Sequence, residues 1–151
     1  MIALDYRATT PADLPFILAL VVEDSVVPTV DDRNAADAAY GEALGAIDAD
    51  PNNESFTVWL DGTRVGTFQL TYIPGLAGRG MWRGQIENVH VIPEMRSRGV
   101  GAQMIRWAVD RCRARGCGSV QLTSNKQRTD AHRFYERLGF SKSHDGFKLK
   151  L

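Results

Sequence analysis

From Val89 to Ala102 the chain reads Val-His-Val-Ile-Pro-Glu-Met-Arg-Ser-Arg-Gly-Val-Gly-Ala, a strand-like alternation that runs through a glycine-bearing turn into a helical pattern. The first N–H groups of a helix have no acceptor within it and sit at the positive end of its dipole, so such a turn binds anions. Gly99 and Gly101 carry no side chain to hold the backbone off a phosphate, and Arg96 and Arg98 add mobile positive charge. The spacing departs from the dinucleotide fingerprint, because the third glycine is replaced by Met104, and no glycine is followed by a Lys-Ser/Thr pair as in a P-loop. A nucleoside triphosphate is thereby disfavoured and a diphosphate ligand is not. A glycine pair at a helix start also serves close packing of the helix on a strand.

Other chemistry is weaker. His90, His132 and His144 lack ligand spacing with one another or with Cys112 and Cys117, and strand alternation turns His90 away from Glu87, so no metal site is expected. There is no Gly-x-Ser-x-Gly elbow and no persuasive Cys/His pair for nucleophilic catalysis. Arg106, Arg111, Arg113 and Arg115 lie on one amphipathic helix and read as a solvated face rather than a nucleic-acid surface. Trp82-Arg83, beside a glycine-rich loop, fits either the border of an acceptor site or a loop anchor.

The elements that must position these residues follow from pattern. Ile2 to Ala8 alternates as a half-buried strand, and Thr10-Pro11-Ala12-Asp13 begins a helix that continues with Leu14, Phe16, Ile17, Leu18 and Leu20. A second helix is expected from Asp31 to Ala49. Phe56–Leu60 and Thr63–Phe68 flank Asp61-Gly62, a two-residue hairpin signal, and the second arm extends to Ile73. Pro74 to Arg83 is a loop, Gln85 to Val91 a strand, Gly99 to Arg115 a helix ended by Gly116, Ser119 to Thr123 a strand, and Thr129 to Leu138 a helix ended by Gly139. Phe147 to Leu151 is expected to be a last strand. The order β-α-α-β-β-β-α-β-α-β is a mixed α/β domain with helices packed on a sheet.

Composition agrees with one folded domain over residues 1–151: hydrophobic residues make up 44% and charged residues 24% of the chain. That balance excludes disorder, collagen-like repeats and a disulfide scaffold. No apolar run reaches the ~18–20 residues of a membrane span, and the first residues lack the layout of a signal peptide. Cys112 and Cys117 read as reduced thiols, which fits a cytoplasmic protein. The 18 basic and 18 acidic residues cancel, but not locally. Up to Leu60 there are eleven acids and two bases, and the remainder holds sixteen bases and seven acids. Such a split suits an anionic ligand on one side and a cationic one on the other, or two solvated faces that segregate.

Arg96-x-x-Gly99-x-Gly101 after a Val-x-Val strand resembles the pyrophosphate-binding motif of the GNAT superfamily, the acetyl-CoA-dependent N-acyltransferases. Downstream, Ser124-Asn125 followed by Ala131-His132-Arg133-Phe134-Tyr135-Glu136-Arg137-Leu138-Gly139-Phe140 is similar to the second cofactor segment of that family. The resemblance covers nearly the whole chain and implies a central mixed sheet, splayed between the fourth and fifth strands, with helices on both faces.

It also implies roles. The backbone of Val89 and Val91 should pair with the pantetheine arm of acetyl-CoA as an added strand would. Amides of Ser97, Arg98, Gly99, Val100, Gly101 and Ala102 should hold the pyrophosphate, with the Arg96 or Arg98 side chain nearby. Asn125 should hydrogen-bond the pantetheine, while Arg128 stands where many relatives carry a second asparagine. Tyr135 matches the general acid near the cofactor sulfur, although it lies beside an apolar stripe of Ala131, Phe134 and Leu138 that would suit a core aromatic.

An alkylamine has a pKa near 10.4, so freeing its lone pair at pH 7 costs roughly 4–5 kcal/mol and a nearby base helps. Glu87, two and four residues before Val89 and Val91, is placed on their side of the sheet by alternation and matches the water-linked base of relatives; a salt bridge to an arginine is its structural alternative. The Val91 N–H is the candidate for the oxyanion. The implied activity is direct acetyl transfer to a primary amine in a ternary complex. A small cationic acceptor is favoured by Glu23, Asp24, Asp31 and Asp32 in the early segment. A protein amino terminus or lysine is the alternative acceptor, and a non-catalytic acyl-CoA sensor is the alternative of another class. No metal, nucleic acid or membrane partner is implied, and a homodimer is compatible.

Overall fold

In the computed structural model, which describes residues 1–25 and 32–151, the chain begins its sheet with β1 (Asp5–Ala8). Thr10 and Asp13 then close a capping box: the Thr10 N–H and hydroxyl reach Asp13 Oδ2 at 2.9 and 3.2 Å. That box caps a 3₁₀ turn, Pro11–Asp13, which leads into α1 (Leu14–Asp24). The second helix is shorter than its apolar pattern suggested. It is α2 (Ala38–Ala49), with Asp37 as N-cap accepting the Ala39 N–H at 2.9 Å. Ahead of it, Asn34 Oδ1 accepts the Ala36 N–H at 3.2 Å, so local side-chain bonds compete with helix there. The Asp31 start of the expected helix lies outside the described residues.

Asp61 and Gly62 take φ of +48° and +78°, the left-handed pair that a tight hairpin needs. They join β2 (Asn53–Leu60) to β3 (Thr63–Ile73). A single turn, α3 (Ala77–Gly80), connects to β4 (Arg83–Val91), and a 3₁₀ turn at Pro93–Met95 precedes α4 (Val100–Ala114). The helix α4 ends in a Schellman motif: Gly116, at φ +83°, donates to Arg113 O, and Cys117 donates to Cys112 O. β5 (Ser119–Gln121) follows, shorter than expected.

The sheet runs β1-β2-β3-β4-β5, antiparallel except for a parallel β4–β5 pair, so it is mixed. The β4–β5 ladder holds only Arg83↔Ser119, Gly84↔Val120 and Gln85↔Gln121. From Ile86 to Val91 no strand among the described residues pairs with that edge of β4, and this is the splay.

One face of the sheet is dry and belongs to α4. Phe56, Phe68, Leu70, Tyr72 and Ile86 are buried there with Met104, Ile105, Ala108 and Cys112. Each such large apolar side chain contributes roughly 1.5–3 kcal/mol by leaving water. Trp107 of α4 stacks on Tyr6 at 4.3 Å and meets Phe56 edge-on at 5.0 Å. The approach is so close that two strand positions must be glycine. A Cβ on Gly84 would lie 2.3 Å from Cys112 Sγ, and one on Gly66 would lie 2.8 Å from His90 O and 2.9 Å from Met104 Sδ.

Arg106, Arg113 and Arg115 are exposed, the solvated face their spacing suggested, and Arg111, Arg113 and Arg115 also hold neighbours. Arg111 donates to both oxygens of Glu54, Arg113 pairs with Asp110, and Arg115 bonds Pro51 O at 3.0 Å and covers the Tyr72 ring at 4.0 Å.

These elements form one compact unit, Met1–Gln121. The second unit, Leu122–Leu151, is built around α5 (Thr129–Arg137). The expected final strand at Phe147–Leu151 does not form: the segment has no strand structure, and Phe147, Leu149 and Leu151 are exposed. Alternation alone does not make a strand, and this unit contains no other strand to supply its hydrogen bonds.

Candidate functional site

Two left-handed residues shape the turn before α4: Ser97 at φ +59° and Gly99 at φ +83°. Left-handed residues alternating with others turn successive N–H groups into one concavity, a nest for an anion. Gly99 is the N-cap of α4, and no side chain caps the helix. Its first internal bond is Gln103 N–H to Gly99 O at 3.0 Å, which leaves the amides of Val100, Gly101 and Ala102 without helical acceptors. No acidic residue occupies the first turn. Around the Gly99 Cα there is open space, so its conformation rather than crowding demands glycine.

The two arginines of this turn behave differently. The Arg96 guanidinium donates to Asp24 Oδ1 and to Val91 O, each at 3.0 Å, and lies 3.5 Å from Glu23 Oε1. Among the described residues Arg98 bonds only the Met95 sulfur, at 3.5 Å, and it faces solvent. Arg98 thus carries the less engaged guanidinium of the two.

On β4 the ladder with β3 slips: Gln69 pairs with Glu87 and Thr67 with His90, so Asn88 and Val89 together oppose Phe68. This is a β-bulge with Asn88 in the left-handed region at φ +53°. The bulge changes which residues share a face. Thr67 and Gln69 are two apart and point the same way, so their partners His90 and Glu87 do too. Val91 pairs with Gly66 and points to the α4 side. The expectation that Glu87 shares a side with Val91 and that His90 turns away from Glu87 is therefore reversed, because alternation does not survive an inserted residue.

The bulge leaves the Val91 backbone facing outward. Ile92 N–H bonds Val65 O at 3.0 Å, and hydrogen-bonded pairs alternate along an antiparallel ladder, so Gly66↔Val91 is a non-bonded pair. The Val91 N–H and C=O thus point to the splayed edge, where its carbonyl takes the Arg96 Nε–H. Val89, inside the bulge, is held opposite Phe68 instead.

The face away from α4 carries the half-exposed Gln69, Thr71 and Gln85 and the exposed Glu87. Glu87 is exposed and has no hydrogen bond or ion pair among the described residues, so the arginine partner that would make it structural is not there. His90 Nδ1 lies 2.5 Å from Asp24 Oδ2 at the end of α1, with the two side chains only 10% and 16% exposed. Among the described residues no group of three or more His, Cys, Asp and Glu side chains could hold a metal ion. Trp82 and Met81 anchor their loop: the Gly118 N–H bonds Trp82 O at 2.8 Å, and a Cβ on Gly118 would strike Met81. That loop adjoins Arg83, at the opposite end of β4 from Val91, roughly 25 Å along the strand.

In the second unit, Asn125 Oδ1 accepts the Gln127 N–H at 2.9 Å, which ties up its oxygen and leaves its NH₂ as the donor. Arg128 is the N-cap residue of α5. The neighbouring Ser124 hydroxyl is buried and has no hydrogen-bond partner among the described residues. Tyr135 sits three residues from a Schellman end. Phe140 donates to Tyr135 O, Gly139 at φ +94° donates to Glu136 O, and the Phe140 ring meets Tyr135 at 5.9 Å. Burial raises the Tyr135 phenol above its ordinary range, against the pull of the Arg128 charge.

The first unit thus gathers Glu87, Val91, Arg96, Ser97, Arg98, Gly99, Val100, Gly101 and Ala102 along β4 and the turn after it. Asn125, Arg128 and Tyr135 belong to the second unit. Pattern reading missed Asp24 and His90 as a pair; Asn88 was the available signal, since asparagine is depleted in strands and tolerates left-handed backbone.

Three comparisons bear on these residues. The profile of the Acetyltransferase (GNAT) family matches residues 18–140. The chain is 30% identical over 148 residues to the aminoalkylphosphonate N-acetyltransferase of Salmonella typhimurium, covering 97% of this chain and 91% of that one. It is 30% identical to the streptothricin acetyltransferase of Streptomyces lavendulae over 87% of this chain and 60% of that protein. A crystal structure described as a transcriptional regulator from Bacillus halodurans C-125 superimposes with TM-score 0.92 at 35% identity, over 99% of this chain and 100% of that one.

Proposed function

Since this chain belongs to the acetyltransferase (GNAT) family, we propose that it moves an acetyl group from acetyl-CoA to the primary amine of a small, cationic acceptor, by direct attack while both are bound. The observation that carries this reading is the pairing of two backbone features at one end of β4. The uncapped start of α4, with its nest at Ser97 and Gly99, suits a pyrophosphate. The splayed edge with the outward Val91 N–H suits an extended amide-bearing arm and a developing oxyanion. Acetyl-CoA supplies the activated acyl carbon when bound; the chain supplies orientation and proton transfer.

Direct attack is favoured over an acyl-enzyme because neither cysteine offers a thiolate. Burial pushes the Cys112 thiol up to about 11, and the Cys117 thiol is also raised, mainly by burial. Both are free thiols, as suits a reducing cytoplasm. Tyr135, whose phenol keeps its proton at neutral pH, is assigned as the donor to the leaving thiolate. The acceptor must come from the polar face, because the other is filled by α4. Glu23, Asp24 and Glu87 make that side acidic, which favours an ammonium-bearing acceptor. The names of the two relatives, one an aminoalkylphosphonate and one a streptothricin enzyme, fit small amine acceptors rather than proteins.

The likeness to a structure described as a regulator supports a second reading, a non-catalytic sensor of acyl-CoA. Thiol release from acetyl-CoA against polyamines, aminoalkylphosphonates, amino-acid amines and peptides separates the two. Transfer is expected with wild type and a drop of about 10²-fold or more in kcat with Tyr135→Phe. Tight acetyl-CoA binding with no release on any amine would establish the sensor instead.

A further inference from the structure

We infer that His90, held by Asp24, is the group that takes the proton from the acceptor amine, and that Glu87 binds the ammonium rather than deprotonating it. This rests on the acetyl-transfer reading and assigns the work within its acceptor side.

The bulge at Asn88 brings His90 and Glu87 onto the polar face, about two strand steps, or roughly 7 Å, apart. Their surroundings separate their tasks. Glu87 is exposed and unpaired, a charge in water that attracts a cation without being forced to accept its proton. His90 is nearly enclosed and is fixed at one nitrogen only. Asp24 as a carboxylate can only accept, so a neutral His90 ring carries its proton on Nδ1 and its lone pair on Nε2. Nε2 makes no hydrogen bond among the described residues.

The charged groups around this ring are Asp24 and Glu23 from α1, Glu87 from its own strand and Arg96 from the turn before α4; Thr67 opposes it on β3. Asp24 has two roles, since its other oxygen takes the Arg96 guanidinium, which in turn holds Val91 O. One carboxylate therefore fixes both the imidazole and the backbone edge whose N–H faces the oxyanion.

The proton balance is complete without another reagent. His90 Nε2 takes one proton from the ammonium and returns it to solvent. The freed lone pair forms the C–N bond to the thioester carbonyl carbon, the C–S bond breaks, and the electron pair leaves on sulfur. The second N–H proton is lost from nitrogen as the leaving sulfur gains one.

The test measures kcat and amine KM for wild type, His90→Ala, His90→Gln, Glu87→Gln and Asp24→Asn, with CoA affinity as the check on folding. Both His90 variants are expected to lose about 10²–10³-fold in kcat with amine KM within threefold. Glu87→Gln should raise amine KM about tenfold and leave kcat within threefold. Asp24→Asn should lower kcat about tenfold or more. Added imidazoles should restore His90→Ala turnover, with the rescue rate rising with the basicity of the imidazole, which a merely structural histidine would not produce. Active wild type with wild-type kcat in His90→Gln, or rescue independent of basicity, overturns the assignment alone. So does a kcat loss confined to Glu87→Gln. Wild type that acetylates no amine overturns the acetyl-transfer reading and this one together.

Discussion

Replacing Gly99 by alanine tests the phosphate turn without touching the rest of the fold. A Cβ there meets nothing within 4 Å, so the change costs no packing. What it costs is backbone: Gly99 sits at φ +83°, and a residue with a Cβ pays roughly 1–2 kcal/mol to stay in the left-handed region. In the free protein the turn relaxes to shed that strain and rotates the amides of Val100, Gly101 and Ala102 off their common target, so binding must restore the strained shape. At about 1.4 kcal/mol per tenfold, CoA affinity should fall by about 5–30-fold. Asparagine tolerates this conformation and should lose less, while β-branched valine should lose more. The assay is calorimetric titration of CoA into Gly99→Asn, Gly99→Ala and Gly99→Val, with thermal melting run alongside. Wild-type affinity in Gly99→Ala, or an order that follows side-chain size without sparing asparagine, would refute the assignment of this turn to the pyrophosphate.

Arg98→Ala should weaken CoA about tenfold with a shallower salt dependence, and Arg96→Ala should act mainly on kcat, since Arg96 holds Asp24 and Val91 O; titration at two ionic strengths separates them. Gly84→Ala should destabilise the protein by about 1–3 kcal/mol because its Cβ would lie 2.3 Å from Cys112 Sγ, and Cys112→Ala should recover much of that in a double-mutant cycle followed by denaturant unfolding. Burial works to raise the Glu54 carboxyl, but bonds from Arg111 and Tyr72 outweigh it and hold the group below its ordinary range. A depressed carboxyl contributes stability that is full above the unfolded value, near 4.3, and is lost as pH falls through the folded value. Glu54→Gln should therefore lower stability by about 1.5–3 kcal/mol at pH 7 and flatten its decline below pH 5 in melting curves.

The strand, turn and helix start from Val89 to Ala102 were legible because the pattern is local: alternation, two glycines and a helical run within fourteen residues. The Asp61-Gly62 hairpin and the Gly116 and Gly139 helix ends were legible for the same reason, since each depends on left-handed backbone at one or two positions. The arrangement of the polar face of β4 was not. A single inserted residue at Asn88 reversed the parity of β4, and only the register against Thr67 and Gln69 reveals it. The Asp24–His90 contact joins residues 66 apart, and no short-range pattern announces such a pair. Nothing near Gly66 and Gly84 in the chain announces Met104 and Cys112 packed against them. The second helix began late because Asn34 and Asp37 bond the backbone locally. Phe147 to Leu151 kept the alternation of a strand without a neighbour to pair with.

The most direct test of acetyl transfer to an amine is mass analysis of the acceptor after incubation of the wild-type protein with acetyl-CoA and a panel of small amines. One N-acetylated amine is expected for each CoA thiol released, with no acetyl group retained on Cys112, Cys117 or any other side chain of the protein. Thiol release without an acetylated amine, or acetyl trapped on the protein, would contradict it.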